Sequence, residues 1–231
     1  TRKWGYTGVE LRRTQVSLKT PRKERTYIRR WLQDNGLELT CLTTRGIPET
    51  GRVRDDYFLR YLELCRDLNG ELLKTKGDPD WLNWAAEKAH SVDIKIARNN
   101  HSGTPLATVE GIRQFLTYVP HPNFTLLFDP YHLIAEGEDY LDCIPELAPR
   151  TATILAQTRR LTPDGNVEPA VPGSTGTWDW DAILCQFFHA GFPEWLTVIE
   201  NGWPAEKRSQ VARINAKFFR EKIRKLEENE Y

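Results

Sequence analysis

Ile94-Lys-Ile-Ala-Arg-Asn-Asn-His-Ser-Gly103 passes from alternating apolar residues into amides and a histidine, and from Thr108 a helical pattern takes over. The stretch reads as a half-buried strand that stops on polar side chains and hands over to a helix. The same succession recurs along the chain. Strand-like runs at 7–13, 37–43, 71–75, 94–98, 124–128, 151–158 and 195–199 alternate with helical patterns at 21–35, 55–68, 79–90, 108–118, 138–148, 180–190 and 205–228. Their starts lie about thirty residues apart, the length of a βα unit. Such alternation specifies an α/β fold with a parallel sheet, and at this length a (β/α)8 TIM barrel. Seven runs are visible where a closed barrel needs eight. The expectation is therefore a TIM barrel that is incomplete at its N-terminal βα unit, or has that unit replaced. An open doubly wound sheet is the alternative. It lacks its main support, because no GxGxxG follows the first strand and no GxxxxGK[ST] occurs.

A chain of 231 residues can bury one substantial core, so 1–231 is expected to be a single domain. Thirty-two basic residues balance thirty-two acidic ones, and no strong basic stripe is evident. The charge thus gives no reason to expect a nucleic-acid or membrane partner. Cys41, Cys65, Cys143 and Cys185 are widely spaced with no CxxC pair, as for reduced, buried thiols. The Arg/Lys-rich start lacks the apolar core of a signal peptide, and no apolar run approaches a membrane span. The protein is expected to be cytoplasmic. A homo-oligomer is compatible with all of this.

In a barrel of parallel strands every C-terminal strand end opens on one face, so residues far apart in sequence converge there. Four of the polar stops carry Asn99, Asp129, Gln157 and Glu200, which suggests a ring of ligands. Two carboxylates and two amide oxygens suit a hard divalent cation, Mg2+ or Mn2+ rather than zinc. The plain alternative for Asp129, which precedes Pro130, is a turn or helix-cap residue. Asn99 and Asn100 have the alternative of bonding within their loop. Arg12, Lys74, Arg98 and Arg159 also lie at strand ends. Side chains alternate along a strand, so if Gln157 points inward Arg159 does too. A rim of inward cations favours an anionic carbohydrate, a sugar phosphate or sugar acid.

Three blocks resemble those of the xylose isomerase-like TIM barrels, the sugar phosphate isomerase/epimerase superfamily that also contains endonuclease IV. They are the stretch ending at Gly103, Leu126-Leu-Phe-Asp-Pro-Tyr-His-Leu133, and Gly191-Phe-Pro-Glu-Trp-Leu-Thr-Val-Ile-Glu200. Gly173-Ser-Thr-Gly-Thr-Trp-Asp-Trp-Asp-Ala-Ile-Leu184 is similar to a fourth, and the four stand in the family's order. The resemblance implies a sugar or sugar-acid isomerase or epimerase that uses a divalent metal. It places Asp129 and Glu200 at two of the family's four metal positions and Gln157 where many members carry His. Asn99 falls where the family has Glu, which weakens the cage and leaves open whether a metal is held at all. Glu200 is then ligand and base, with His101 or Glu136 standing in for the base that an amide cannot supply. His132 would bind substrate beside Arg159, Arg98, Lys74 and Arg12, and Trp203 would line the pocket. Two other readings share these residues: a lyase or dehydratase acting on a polyol, and a non-catalytic carbohydrate-binding protein with a decayed metal site.

Overall fold

The computed structural model describes residues 2–228 apart from 45, 46, 48, 49, 163 and 165. In chain order its elements are β1 (Gly8–Leu11), α1 (Arg22–Asp34), β2 (Glu38–Thr43), α2 (Arg52–Asp67), β3 (Leu72–Lys74), α3 (Pro79–His90), β4 (Lys95–Asn99) and α4 (Val109–Tyr118). There follow β5 (Phe124–Phe128), α5 (Pro130–Ala135), α6 (Ile144–Leu147), β6 (Thr151–Ala156), β7 (Arg159–Leu161), β8 (Val167–Pro169), α7 (Trp180–Ala190), β9 (Trp195–Val198) and α8 (Ala205–Glu227). Seven strands form one parallel sheet in the order β1-β2-β3-β4-β5-β6-β9, and it curls almost into a closed barrel. Neighbours in the sheet are neighbours in sequence, so each helix returns the chain to the same end and every C-terminal strand end lies on one face. Among the described residues no strand joins β9 back to β1. Across that seam lies α8, and the Tyr6 hydroxyl donates to the Ala212 carbonyl at 2.9 Å.

Apolar residues divide into two cores, as the period of two requires. Phe58, Leu82, Ile96, Phe124, Phe128 and Phe187 are buried between the sheet and its helices. Cys41, Leu72, Ala97, Leu127 and Leu155 form a separate cluster, with Ala152 and Ile199 packed against it. The five come from five different strands of the barrel, and together they fill its interior as one layer. All four cysteines are free, and only Cys185 is partly exposed. Among the described residues no helix is long and apolar enough to cross a membrane.

Two elements differ from the sequence expectation. The helix placed at 138–148 is instead two short helices, α5 and α6. Asp129 caps α5 by accepting from the Tyr131 amide, and Pro130 fits the first helical position because it has no amide hydrogen to satisfy. Helix formation therefore begins at once after β5. It ends at Gly137, whose φ of +75° is left-handed backbone open to glycine. The strand placed at 151–158 stops at Ala156, and the chain beyond it makes an antiparallel hairpin, β7 with β8, outside the barrel sheet.

Candidate functional site at the mouth of the barrel

Two residues beyond each member of the interior layer the same strand face appears again, now at the barrel mouth. There the side chains are Thr43, Lys74, Asn99, Asp129 and Gln157. Three of the four residues expected to converge thus share one layer. Glu10 of β1 joins them: its side chain is 7% accessible, its carboxylate accepts from the Thr43 hydroxyl at 2.9 Å, and Arg12 pairs with it at 3.1 Å. Glu10 and Thr43 were not anticipated from sequence. The available signal was an acidic residue inside the otherwise uncharged strand Gly8-Val-Glu-Leu11.

Asp129 is the centre of the layer and is 2% exposed. Asn100, also buried, holds it from behind. The Asn100 side-chain amide donates to the Asp129 carbonyl at 2.8 Å, and its oxygen accepts from the Asp129 amide at 2.7 Å. The cap role foreseen for Asp129 is present too, with Oδ1 accepting from the Tyr131 amide at 3.1 Å. Oδ2 faces His132 Nε2 at 3.7 Å, the i,i+3 partner that α5 supplies. Burial pushes the carboxyl up to about 7, against the lowering influence of the Tyr131 amide, Lys74 and Arg159. Burial likewise lowers His132 to about 4, helped by His101, Lys74 and Arg159, so His132 is neutral at physiological pH.

His101 lies over His132 with ring centroids 3.9 Å apart. Its Nδ1 is 2.8 Å from the Ser102 carbonyl, which can only accept, so Nδ1 carries a hydrogen. Ser102 Oγ reaches the other ring, 3.3 Å from His132 Nδ1.

Arg159 approaches from the start of the hairpin. Its guanidinium lies 5.6 Å over the Tyr131 ring, which stacks in turn on Trp178. A Cβ at Gly202 would come within 2.9 Å of the guanidinium Nη1, so the glycine leaves room for it. Among the described residues the buried Arg159 Nε has no hydrogen-bond partner, and neither has Thr75 Oγ1 beside Lys74. Gln157 is buried, and its carbonyl accepts from Trp178 Nε1 at 3.1 Å.

The remaining expected residues lie elsewhere. Ile199 packs on the interior layer, so Glu200, one residue on, is turned off the barrel axis. Its carboxylate bonds the Asn215 side chain on α8 and feels Arg208; burial nevertheless raises its pKa. The Glu200 charge also helps, after burial, to raise the Tyr6 phenol. Glu200 therefore faces the seam between β9 and β1, in a cavity of about 740 Å³ that Glu10 and Arg12 also line. Arg98 points outward: its guanidinium sits 5.1 Å over Phe115 of α4 and donates to the Gly77 carbonyl. Glu136 is an exposed residue at the C-cap of α5. Trp203 is half-buried in the loop before α8, and its carbonyl accepts from Arg208.

Two carboxylates, Glu10 and Asp129, with the amides Asn99 and Gln157 make a donor set of low charge for a divalent cation. Among the described residues no group of three or more His, Cys, Asp and Glu is placed to hold one. Of the two carboxylates of the layer, Glu10 is paired with Arg12, and Asp129 lies in the field of Lys74 and Arg159 without an ion pair to either among the described residues. These cations offset the negative charge that a divalent ion would use.

Residues 1–222 match the family described as xylose isomerase-like TIM barrel. The chain belongs to this family. A comparison with curated protein sequences finds no match. Among solved structures, this xylose isomerase-like barrel is similar to the probable 3-DHS dehydratase AsbF of Bacillus anthracis, with TM-score 0.74 and 16% identity over 94% of this chain and 89% of that one. It is similar to an L-ribulose 3-epimerase, with TM-score 0.72 and 15% identity over 99% and 88% of the two chains. The IOLI protein with a bound zinc atom gives TM-score 0.73 at 17% identity over 97% and 89%. At such identities the likeness is one of fold.

Proposed function

We propose that this barrel catalyses isomerisation or epimerisation of an anionic carbohydrate at its mouth. The observation that carries this reading is the buried Asp129 beside neutral His132, with Lys74 and Arg159 acting on the same carboxylate. A carboxyl titrating near 7 is matched to accept and return a proton at physiological pH. Asp129 takes the proton from the carbon next to a substrate carbonyl, and the electron pair moves onto the carbonyl oxygen to give an enediolate. Arg159 and Lys74 hold that oxyanion and the substrate's own anionic group. Transfer of the hydroxyl proton to the neighbouring oxygen and return of the carbon-bound proton to the neighbouring carbon complete an isomerisation; protonation of the original carbon on its opposite face by a second acid, with Asp129 releasing its proton to solvent, completes an epimerisation. If protonated Asp129 gives its proton to a hydroxyl on the next carbon, which then leaves as water, the reaction is a dehydration, the activity in the name of the AsbF neighbour.

The test is exchange of substrate carbon-bound hydrogen in D2O, followed by proton NMR over a panel of ketoses, sugar acids and sugar phosphates. Deuterium is expected beside the carbonyl of an anionic member and is lost in Asp129→Asn, while a mass lower by one water identifies dehydration. Absence of exchange across the panel, or exchange that survives Asp129→Asn, overturns the reading.

A further inference from the structure

Lys74 ends β3 on the face that Leu72 turns into the barrel, in the layer of Asn99, Asp129 and Gln157. Its charge reaches three interior groups on three elements: Cys41 on β2, Asp129 after β5 and His132 on α5. No carboxylate pairs with it at salt-bridge distance among the described residues, whereas Arg12 is tied to Glu10. An ammonium with three donors is thus built into a position where a second cation would meet repulsion.

We propose that the Lys74 ammonium takes over the electrostatic task of a divalent cation at this barrel mouth, so that the chain works without a resident metal. The inference rests on the same site as the proposed function but not on the reaction assigned to it. Lys74 donates to substrate oxygens and stabilises negative charge that develops on them. Asn99 fits that arrangement, because an uncharged amide neither competes with Asp129 for the ammonium nor draws a metal. The IOLI structure, similar in fold, carries a bound zinc atom.

Mn2+ alone is the probe, titrated into the full chain and read by electron paramagnetic resonance, with Asp129→Asn versions subtracted as background. The wild type is expected to show no Asp129-dependent binding below about 1 mM. Lys74→Glu changes the ring by two charges and is expected to create an Asp129-dependent site at least roughly tenfold tighter. Lys74→Met, which only removes the cation, is expected to give a smaller gain and serves if Lys74→Glu does not fold. Asp129-dependent micromolar binding by the wild type would sink the proposal. So would Lys74 variants that bind Mn2+ no better than the wild type. Deuterium exchange can fail while this result stands, and the reverse, so the two ideas fall separately.

Discussion

At the scale of the residue, Asp129 combines conflicting demands. It caps a helix, is clamped by Asn100, and sits where burial favours its neutral form. Its pKa in the fold is raised to about 7 from an ordinary value of 3.8. Stability from this group is therefore complete below the unfolded pKa and is lost as pH rises through the folded one. Asp129→Asn keeps the size and the capping oxygen but does not titrate. In thermal melts the variant should match the wild type near pH 4 and exceed it at pH 8. The gain should reach a few kcal/mol, at about 1.4 kcal/mol for each tenfold change in proton affinity. A difference that stays flat over that interval would mean the carboxyl is not perturbed. Sequence period made Asn99, Asp129 and Gln157 legible as ring members, because each follows an interior residue by two. Glu200 escaped the same logic. Its direction depends on which side of β9 faces inward, and the half-buried run Trp195-Leu-Thr-Val198 does not fix that.

At the scale of the element, most helices and strands lie close to where the hydrophobic period ends them. The exceptions occur where local backbone chemistry overrides period: Pro130 starts a helix early, Gly137 stops it, and the chain after Ala156 leaves the barrel for a hairpin. That hairpin carries Arg159 to the site, and the loop after β9 supports it through Gly202. With φ of +88° and a virtual Cβ 2.8 Å from Pro169 Cγ and 2.9 Å from Arg159 Nη1, Gly202 resists any side chain. Gly202→Ala should lower stability by about 1 to 3 kcal/mol in urea titrations and weaken binding of anionic sugars more than of neutral ones. Equal weakening of both would show that Arg159 does not select charge.

At the scale of the whole molecule, the barrel has a seam. Among the described residues the β1 and β9 ladders are each paired on one side only, whereas β4 and β5 are paired on both. Hydrogen exchange should therefore be fastest in β1 and β9 and slowest in β4 and β5 among the sheet amides. Uniform protection around the sheet would mean that the seam is closed by contacts other than a strand ladder. The alternation of strand and helix announced the barrel and its missing rung alike. It could not announce that Glu200 would turn into the seam, since that depends on α8 arriving from far along the chain with Asn215. The Asn100 clamp has a consequence at this largest scale. Its side-chain amide exchanges two hydrogen bonds with Asp129 as a peptide group would, so the sheet gains a rung made by a side chain just where the two chain paths diverge. The direct anchoring of Asp129 thus ends at Asn100, and beyond it His101 and Ser102 reach the carboxylate only through His132. The stretch from Gly103 to the cap at Thr108 can then change length or composition over evolutionary time while Asp129 keeps its place.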